Sequence, residues 1–181
     1  MTRITHQVPA GCLLTVDALV FRTVRPAAEP GRLRLEVLLI RRQREPFAGR
    51  WALPGGFVEP DEALPAAAAR ELEEETGVRG LPMVESGVYA TPGRDPRGRV
   101  VSVAYWALLP GAAELVAGDD AAGAAWYPVD ALPHPLAFDH ETILAAALNQ
   151  VRRRLRRGMA ALTAFPEHLT LSDLRRLDLP R

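Results

Sequence analysis

Residues 56–78 read GFVEPDEALPAAAARELEEETGV and hold the most informative pattern in the chain. From Leu64 to Thr76 the residues are mostly strong helix formers, and Gly77 stands where a left-handed residue commonly ends a helix. Asp61 is the predicted N-cap, and Glu62 is predicted in the first turn, where the helix dipole favours an acid. We therefore predict an α-helix that begins after Asp61 and runs through Leu64 to Thr76. Its apolar stripe is predicted at i, i+4 spacing and consists of Leu64, Ala68 and Leu72.

The same predicted helix carries a group of carboxylates on another side. Glu71, Glu74 and Glu75 lie three and four residues apart, so their side chains converge. Like charges at this spacing repel each other by roughly a few tenths of a kcal/mol per pair. A hard divalent cation relieves that repulsion, and Mg²⁺ in particular combines a few carboxylates with substrate phosphates and water. The alternative is a solvated acidic face on an ordinary surface helix.

The acidic residues keep a fixed spacing with a glycine and an arginine that precede them. The stretch follows G-x5-E-x7-R-E-L-x-E-E-x-G-V from Gly56 through Glu62 and Arg70 to Val78. This spacing resembles the Nudix box at every specified position, and the chain is similar to the Nudix hydrolases. The resemblance implies an α/β fold, the Nudix α/β/α sandwich with a mixed sheet. It also implies cleavage of a nucleoside diphosphate linked to another group, with Mg²⁺ or Mn²⁺ as cofactor.

The resemblance also implies roles for individual residues of the box. Glu71, Glu74 and Glu75 are the expected metal ligands, together with the backbone carbonyl of Gly55. Glu74 and Glu75 are expected to be catalytic, and Arg70 is expected to orient a carboxylate. A plain surface ion pair is the alternative for Arg70. The metals would neutralise the diphosphate and lower the pKa of an attacking water.

Length and composition suit one compact domain with a small appendage. The chain has 181 residues, of which 48% are hydrophobic, and its formal net charge is zero. Cys12 is the only cysteine, so an intrachain disulfide is excluded and a reducing cytosol is favoured. No apolar run approaches the roughly 20 residues of a membrane span, and the N-terminus lacks a signal-peptide core. We expect a soluble cytoplasmic protein that does not contact membranes.

The order of predicted elements is typical of a mixed α/β domain. Strands are predicted at residues 13–22, 33–41, 83–90, 100–109 and 124–129, with the acidic helix between the second and third. A second helix is predicted to begin with Asp139 as its N-cap, with an apolar stripe of Leu144, Leu148, Val151 and Leu155. The resemblance covers about residues 12–157. We expect a Nudix domain at 1–157 and a C-terminal tail at 158–181.

Two segments that contain arginines narrow the range of possible substrates. The segment IRRQREPFAGRWALPGGFVEPDE, residues 40–62, resembles the ADP-ribose pyrophosphatase-like branch of the family. The resemblance implies that Arg41 or Arg42, and Arg50, face the diphosphate; capping a strand edge is the alternative. Arg97 lies in TPGRDPRGR, residues 91–99, which resembles the same branch. The alternative interpretation of that segment is a hairpin loop with a type I turn and no role in binding.

Two further segments bear on the nucleotide and on the catalytic base. PLAFDHETIL, residues 135–144, is similar to a segment of that branch in which residues placed like Phe138 and Asp139 lie near the nucleotide. His140 is a further candidate for a general base. Relatives often supply a base from the loop that here reads GDDAAGAAW, residues 118–126, and we choose Asp120 over its neighbour Asp119. A box glutamate is the alternative.

The tail, GMAALTAFPEHLTLSDLRRLDLPR, resembles the start of a winged helix in Nudix-type regulators of nicotinamide metabolism. It is too short for a recognition helix and wing, so nucleic acid is an unlikely partner. We expect an enzyme that converts ADP-ribose to AMP and ribose 5-phosphate. The alternatives are a non-catalytic ADP-ribose sensor and a pyrophosphatase for another nucleotide such as NADH or 8-oxo-dGTP. Family likeness also implies a homodimer.

Overall fold

The computed structural model describes residues 11–26, 33–109, 115 and 121–157. These residues form a seven-stranded sheet and two helices. The strands are β1 (Leu13–Val24), β2 (Arg34–Arg42), β3 (Trp51–Ala52), β4 (Gly55–Phe57), β5 (Val84–Tyr89), β6 (Val100–Leu108) and β7 (Ala121–Pro128). The helices are α1 (Leu64–Thr76) and α2 (His140–Arg157).

The sheet is mixed, as predicted. Its main path runs β3-β2-β1-β6-β5, while β4 pairs with β1 and β7 pairs with β2. Strands β1 and β6 are parallel, from the pair Leu13 and Val100 to the pair Phe21 and Leu108. The other pairings are antiparallel. The antiparallel pair of β1 and β4 sets Asp17 opposite Gly55, which brings the glycines before α1 to the centre of the sheet.

The two helices cover opposite faces of the sheet, which confirms the predicted α/β/α sandwich. Alternate residues of a strand point to opposite faces. On β1, Leu19 and Phe21 therefore pack with α2 in one core cluster, whereas Ala18 and Val20 pack with α1 in another. The main buried residues of α2 are Ile143, Leu144, Ala147, Leu148 and Val151, and those of α1 are Ala67, Ala68 and Leu72.

The acidic helix ends where the sequence predicts, but it begins later. Ala63 is the N-cap, without a side-chain hydrogen bond, and no acidic residue lies in the first turn, so the predicted cap at Asp61 and the first-turn position of Glu62 are wrong. The Glu62 carboxylate instead accepts hydrogen bonds from the Glu59 amide and from Arg70 in the segment before the helix.

Helix α1 spans Leu64–Thr76, and Gly77 follows it in the left-handed conformation with φ of 74°. The Gly77 amide donates to the carbonyl of Glu73 at 2.8 Å, so the C-cap is confirmed. Ala68 and Leu72 of the predicted stripe are buried, and the half-buried Leu64 packs against the cluster that contains Ala68.

The start of the second helix differs from the prediction in one respect. Asp139 does precede α2, and its backbone carbonyl accepts hydrogen bonds from Thr142 and Ile143 at 2.9 and 3.2 Å. Its carboxylate, however, binds the guanidinium of Arg94, so Asp139 connects α2 to a distant loop instead of acting as a side-chain cap. In the described part of the chain, neither helix is long and apolar enough to cross a membrane.

Candidate active site

A cleft of about 560 Å³ opens between the second half of α1, together with β4, and the loops that flank the end of β2 and the start of α2. One wall is acidic and comes from β4 and α1. The opposite wall holds arginines and an aromatic ring. The residues that matter below are Asp17, Arg42, Gly55, Gly56, Phe57, Arg70, Glu71, Glu75, Arg94, Asp95, Arg97, Phe138 and His140, all of which line the cleft.

The acidic wall is built around the two glycines of β4. The Gly55 amide donates to Oε2 of Glu75 at 2.9 Å. The Glu71 carboxylate lies so close to Gly56 that a Cβ atom on that glycine would stand 2.5–2.6 Å from its carbon and oxygens. Gly56 therefore permits a close approach that no other residue type allows. The Gly55 amide thus binds Glu75, and Gly56, the first residue of the sequence pattern, leaves room for Glu71.

Arg70 organises this wall from the side. Its guanidinium binds both oxygens of Glu62 at 2.7 and 3.0 Å, Glu71 at 2.9 Å and Glu74 at 3.1 Å, and it donates to the carbonyl of Phe57 at 3.1 Å. Burial raises the pKa of Glu71 despite the opposing hydrogen bond from Arg70. The Arg70 hydrogen bond also lowers the pKa of Glu62. Arg70 thus contacts three carboxylates, and its predicted role in orienting a carboxylate stays a prediction.

Glu74 differs from its two neighbours in its surroundings. Its side chain is 58% exposed and pairs with Arg70 at i, i+4 spacing. Glu74 is not among the cleft-lining residues, whereas Glu71 and Glu75 are. Its predicted roles as metal ligand and catalytic residue stay predictions.

The donor set of the acidic wall fits a hard divalent cation that takes part of its coordination from substrate and water. Among the described side chains, no three His, Cys, Asp or Glu groups form a complete metal cage. Glu71 and Glu75 do offer carboxylate oxygens at the cleft, and Gly55 lines it beside them. Mg²⁺ is commonly bound by one or two carboxylates, with phosphates and waters completing an octahedron. The closely packed, half-buried Glu71 is a carboxylate whose charge such a cation would stabilise.

The other wall includes two arginines that both lie over one aromatic ring. The guanidinium carbon of Arg42 lies 4.9 Å from the centre of the Phe138 ring, and that of Arg97 lies 5.6 Å from it. Arg97 also stacks on Phe57 at 4.8 Å. Burial lowers the pKa of Arg42, and the nearby charge of Arg97 lowers it further, while Glu75 opposes this shift. The charge of Arg42 therefore interacts with both Arg97 and Glu75.

A buried ionic network also lines the cleft. Arg94, with 4% of its side chain exposed, binds Asp139 through two hydrogen bonds of 2.6 and 3.0 Å and lies 3.7 Å from Asp17. Burial disfavours the charge of Arg94, but the Asp139 hydrogen bond and the Asp17 charge raise its pKa overall. Ser102 donates a further hydrogen bond to Asp17. The network ties β1 and β6 to the loop after β5 and to α2.

His140 completes this network as a neutral side chain. Its Nδ1 accepts the backbone N–H of Leu53 at 2.9 Å, so the ring proton is on Nε2, which faces Asp17 at 3.3 Å. Burial lowers the pKa of His140 and outweighs the opposing charge of Asp17. His140 thereby fixes the segment that leads into Gly55. Its side chain lines the cleft, but both nitrogens have partners within the protein.

Of the remaining predicted substrate contacts, some line the cleft and others do not. Arg97 and Phe138 line it, whereas Arg41 and Arg50 are not among its lining residues. The Arg41 Nε donates to the Gly49 carbonyl at 3.1 Å, and Arg50 stacks on Phe47 at 5.1 Å. Asp139 is engaged by Arg94 as described above. Asp119, Asp120 and the tail at 158–181 lie outside the described residues.

Asp17, Arg94 and Asp95 belong to this site without having been predicted as site residues from the sequence. Asp17 is a carboxylate inside an otherwise apolar strand, a signal that could have marked it, because buried acids require partners. Asp95 is nearly fully buried and binds Arg97 at 2.6 Å. The Gly98 amide donates to the Asp95 carbonyl, which confirms the predicted turn. Because the turn already accounted for an aspartate at this position, the contact of Asp95 with Arg97 was not predicted.

This fold and this site agree with a family match. The model described as the NUDIX domain matches residues 16–147, and the chain therefore belongs to the NUDIX family.

Similar proteins include both an enzyme and a regulator. The chain is 50% identical over 111 residues to the ADP-ribose pyrophosphatase of Methanocaldococcus jannaschii, over 60% of this chain and 63% of that protein. It is 33% identical over 168 residues to the ADPR responsive transcriptional repressor NtrR of Acinetobacter baylyi, over 91% of this chain and 64% of that protein. These matches span a little under two thirds of each relative's length.

A solved structure with bound nucleotide is also similar. The NUDIX domain of Shewanella oneidensis NrtR complexed with ADP ribose is 32% identical to this chain. The two structures align with a TM-score of 0.69, over 83% of this chain and 99% of the other.

Proposed function

We propose that this chain is a pyrophosphohydrolase that cleaves ADP-ribose to AMP and ribose 5-phosphate with Mg²⁺ or Mn²⁺. The observation that carries the proposal is the pairing of two opposite walls in one cleft. Glu71 and Glu75 lie on one wall, and Arg42 and Arg97 lie on the other. A diphosphate needs cationic groups at its oxygens, and its cleavage needs a group that activates water. The similarity to an ADP-ribose pyrophosphatase supports the choice of substrate.

Each wall has a separate task in the proposed reaction. Glu71, Glu75 and the Gly55 carbonyl would hold the divalent cation, and Arg70 keeps Glu71 oriented. The bound cation would neutralise the diphosphate and lower the pKa of the attacking water. Arg42 and Arg97 donate hydrogen bonds to the phosphate oxygens, which stabilises the charge that develops at phosphorus. Asp120 and the glutamates of the box are the proposed bases for the water.

A substrate panel tests the proposal. The chain is incubated with ADP-ribose, NADH or 8-oxo-dGTP in the presence of Mg²⁺ or Mn²⁺, and products are separated by chromatography. The double variant Glu74→Gln/Glu75→Gln serves as the blank. Preferential release of AMP from ADP-ribose, absent in the blank, is the expected result. Turnover of NADH or 8-oxo-dGTP in preference to ADP-ribose would replace the proposed substrate.

Sensing of ADP-ribose without hydrolysis is a second candidate. It is favoured by the similarity to an ADPR responsive repressor over 91% of this chain. Calorimetric titration with ADP-ribose separates the two functions when it is combined with the substrate panel. Tight binding without product formation in either metal would favour the sensor.

We further infer a homodimer from the family resemblance. Sedimentation velocity measures the association state while activity is assayed over the same concentrations. A monomer with full activity at micromolar concentration would contradict the dimer.

A further inference from the structure

Phe138 has a backbone conformation that is unfavourable for its side chain. Its φ is 51°, and Phe47, which touches it, has φ of 66°. Positive φ is uncommon outside glycine, and a bulky residue is retained there only when its surroundings hold it. The flanking backbone supplies such restraints, because Ala137 donates to the Trp51 carbonyl at 2.8 Å and His140 donates to the Ala137 carbonyl at 3.2 Å. The position of the ring is therefore strongly determined.

The ring is also enclosed by other groups. Its centre lies 4.9 Å from that of Phe47, with the ring planes at 73°, and 5.2 Å from that of His140. The guanidinium groups of Arg42 and Arg97 lie within 4.9 and 5.6 Å of it. Arginine stacks well on aromatic rings, and such contacts orient the planar group. Phe138 thus contacts both cations of the wall that faces Glu71 and Glu75.

Each of these arginines is held by hydrogen bonds from only some of its guanidinium nitrogens. Arg42 donates from Nε to the Pro46 carbonyl at 2.8 Å and from Nη2 to the Arg44 carbonyl at 3.3 Å. Arg97 donates from Nε and Nη2 to Asp95, at 2.6 Å for the shortest of these bonds. Within the described residues, no hydrogen bond to protein involves Nη1 of either arginine. An anion in the cleft can therefore accept hydrogen bonds from both without breaking any of these contacts.

We propose that Phe138 is a positioning residue that spaces Arg42 and Arg97 for one diphosphate group, and that it acts on the arginines and not on the nucleobase. The proposal rests on the proposed function for the identity of the substrate. The contacts on the ring support it, because the ring is already shared by two guanidinium groups, a phenylalanine edge and a histidine. A base that stacked on Phe138 would have to displace one of these groups.

The test compares two ligands that share the phosphates but not the base. Inorganic pyrophosphate and ADP-ribose are titrated calorimetrically into the unaltered chain and into Phe138→Leu, with EDTA present so that no turnover occurs. We expect the leucine variant to weaken both ligands by the same factor, about threefold to tenfold, the size expected for lost cation–π contacts. Phe138→Tyr retains the ring and is expected to retain both affinities.

A double-mutant comparison makes the assignment specific. In an Arg97→Gln background, Phe138→Leu is expected to weaken pyrophosphate less than it does in the unaltered chain, because one of the two arginines that the ring orients is gone. Strictly additive losses would overturn the proposal. Arg22→Gln is the matched control, since Arg22 stacks on Trp126 at 4.3 Å outside the cleft. That variant is expected to bind both ligands as the unaltered chain does.

Three other outcomes would also overturn the proposed role of Phe138. Unchanged pyrophosphate affinity with weakened ADP-ribose affinity would assign Phe138 to the base and overturn the proposal, as would no change for either ligand. ADP-ribose binding without any pyrophosphate binding by the unaltered chain would overturn it too. Phe138→Met, which keeps most of the side-chain volume, replaces the leucine variant if the latter does not fold. Because binding is measured without metal, the result is independent of whether the chain hydrolyses ADP-ribose.

Discussion

The two walls of the cleft differ in how far apart their residues are in the sequence. The acidic wall is local: Arg70, Glu71 and Glu75 lie within two turns of one helix, next to β4. The arginine wall is assembled from the end of β2, the loop after β5 and the residues before α2, represented by Arg42, Arg97 and Phe138. Helical periodicity alone brings the first set together. The second set meets only because the sheet and α2 are in place.

This difference has a consequence for stability and specificity. A local site forms wherever its helix forms, so its chemistry is common to a family. An assembled site depends on distant contacts such as the Arg94 to Asp139 pair, and it changes with each loop. We therefore expect the acidic wall to determine whether the reaction occurs, and the arginine wall to determine how tightly the substrate is bound.

Glu75→Gln is expected to have the largest effect. Loss of one charged oxygen at the acidic wall should lower kcat by about 10³-fold, since single electrostatic groups at a reacting centre contribute effects of this order. Rates of AMP release from ADP-ribose give the measurement, and thermal melting checks the fold. Glu73→Gln is the control, because Glu73 is on the same helix but pairs only loosely with Arg79, at 3.6 Å. Near-normal turnover in Glu75→Gln would remove this residue from the metal site.

Arg42→Gln and Arg41→Gln sharpen the comparison on the other wall. Arg42 lines the cleft, whereas Arg41 donates to the Gly49 carbonyl outside it. Loss of a charge-assisted hydrogen bond should raise KM about tenfold or more for Arg42→Gln, with a smaller change in kcat. Arg41→Gln should change KM by less than about threefold, as expected for an exposed charge. Steady-state kinetics with ADP-ribose decide between them, and equal effects would restore Arg41 as a direct contact.

Gly56→Ala tests the close approach between β4 and α1. The added Cβ would stand 2.5 Å from the Glu71 carboxylate, so that side chain must move. We expect activity to fall about tenfold, comparable to the loss of a group that orients a metal ligand, while the fold persists. Gly123→Ala is the matched control, because a Cβ there has no neighbour within 4 Å. If both alanine variants retain full activity, the placement of Glu71 does not depend on Gly56.

For His140 we expect a smaller effect, a dependence of the free energy of unfolding on pH. Because burial lowers its pKa in the folded chain, unfolding allows it to take up a proton below its ordinary pKa of about 6.5. The stability that the neutral ring contributes is complete above that pH and is lost as the pH falls, by at most about 1.4 kcal/mol per pH unit. Urea unfolding near pH 7.5 and 5.5 measures it. The decline should be steeper in the unaltered chain than in His140→Gln; identical slopes would show that His140 does not titrate on unfolding.

Much of the fold was predictable because its signals are local. The β-rich runs that form β1 and β2, the C-terminal end of α1 and the left-handed Gly77 all follow from the composition and conformational preferences of short segments. The sequence did not predict the parallel pairing of β1 with β6. Nor did it predict that the carboxylate of Asp139 binds Arg94 and leaves the helix end uncapped by a side chain. Both depend on contacts between segments tens of residues apart.

The sequence by itself determined the acidic helix, the glycines that precede it, and the family to which the chain belongs. The spacing between Gly56 and Gly77 fixes those features, since a helix converts three- and four-residue intervals into neighbouring side chains. Only the tertiary structure decided that Arg42 lines the cleft while Arg41 does not, and that Phe138 contacts two arginines. Adjacent residues of a strand point to opposite sides, and the positive φ of Phe138 follows from contacts that no local pattern records.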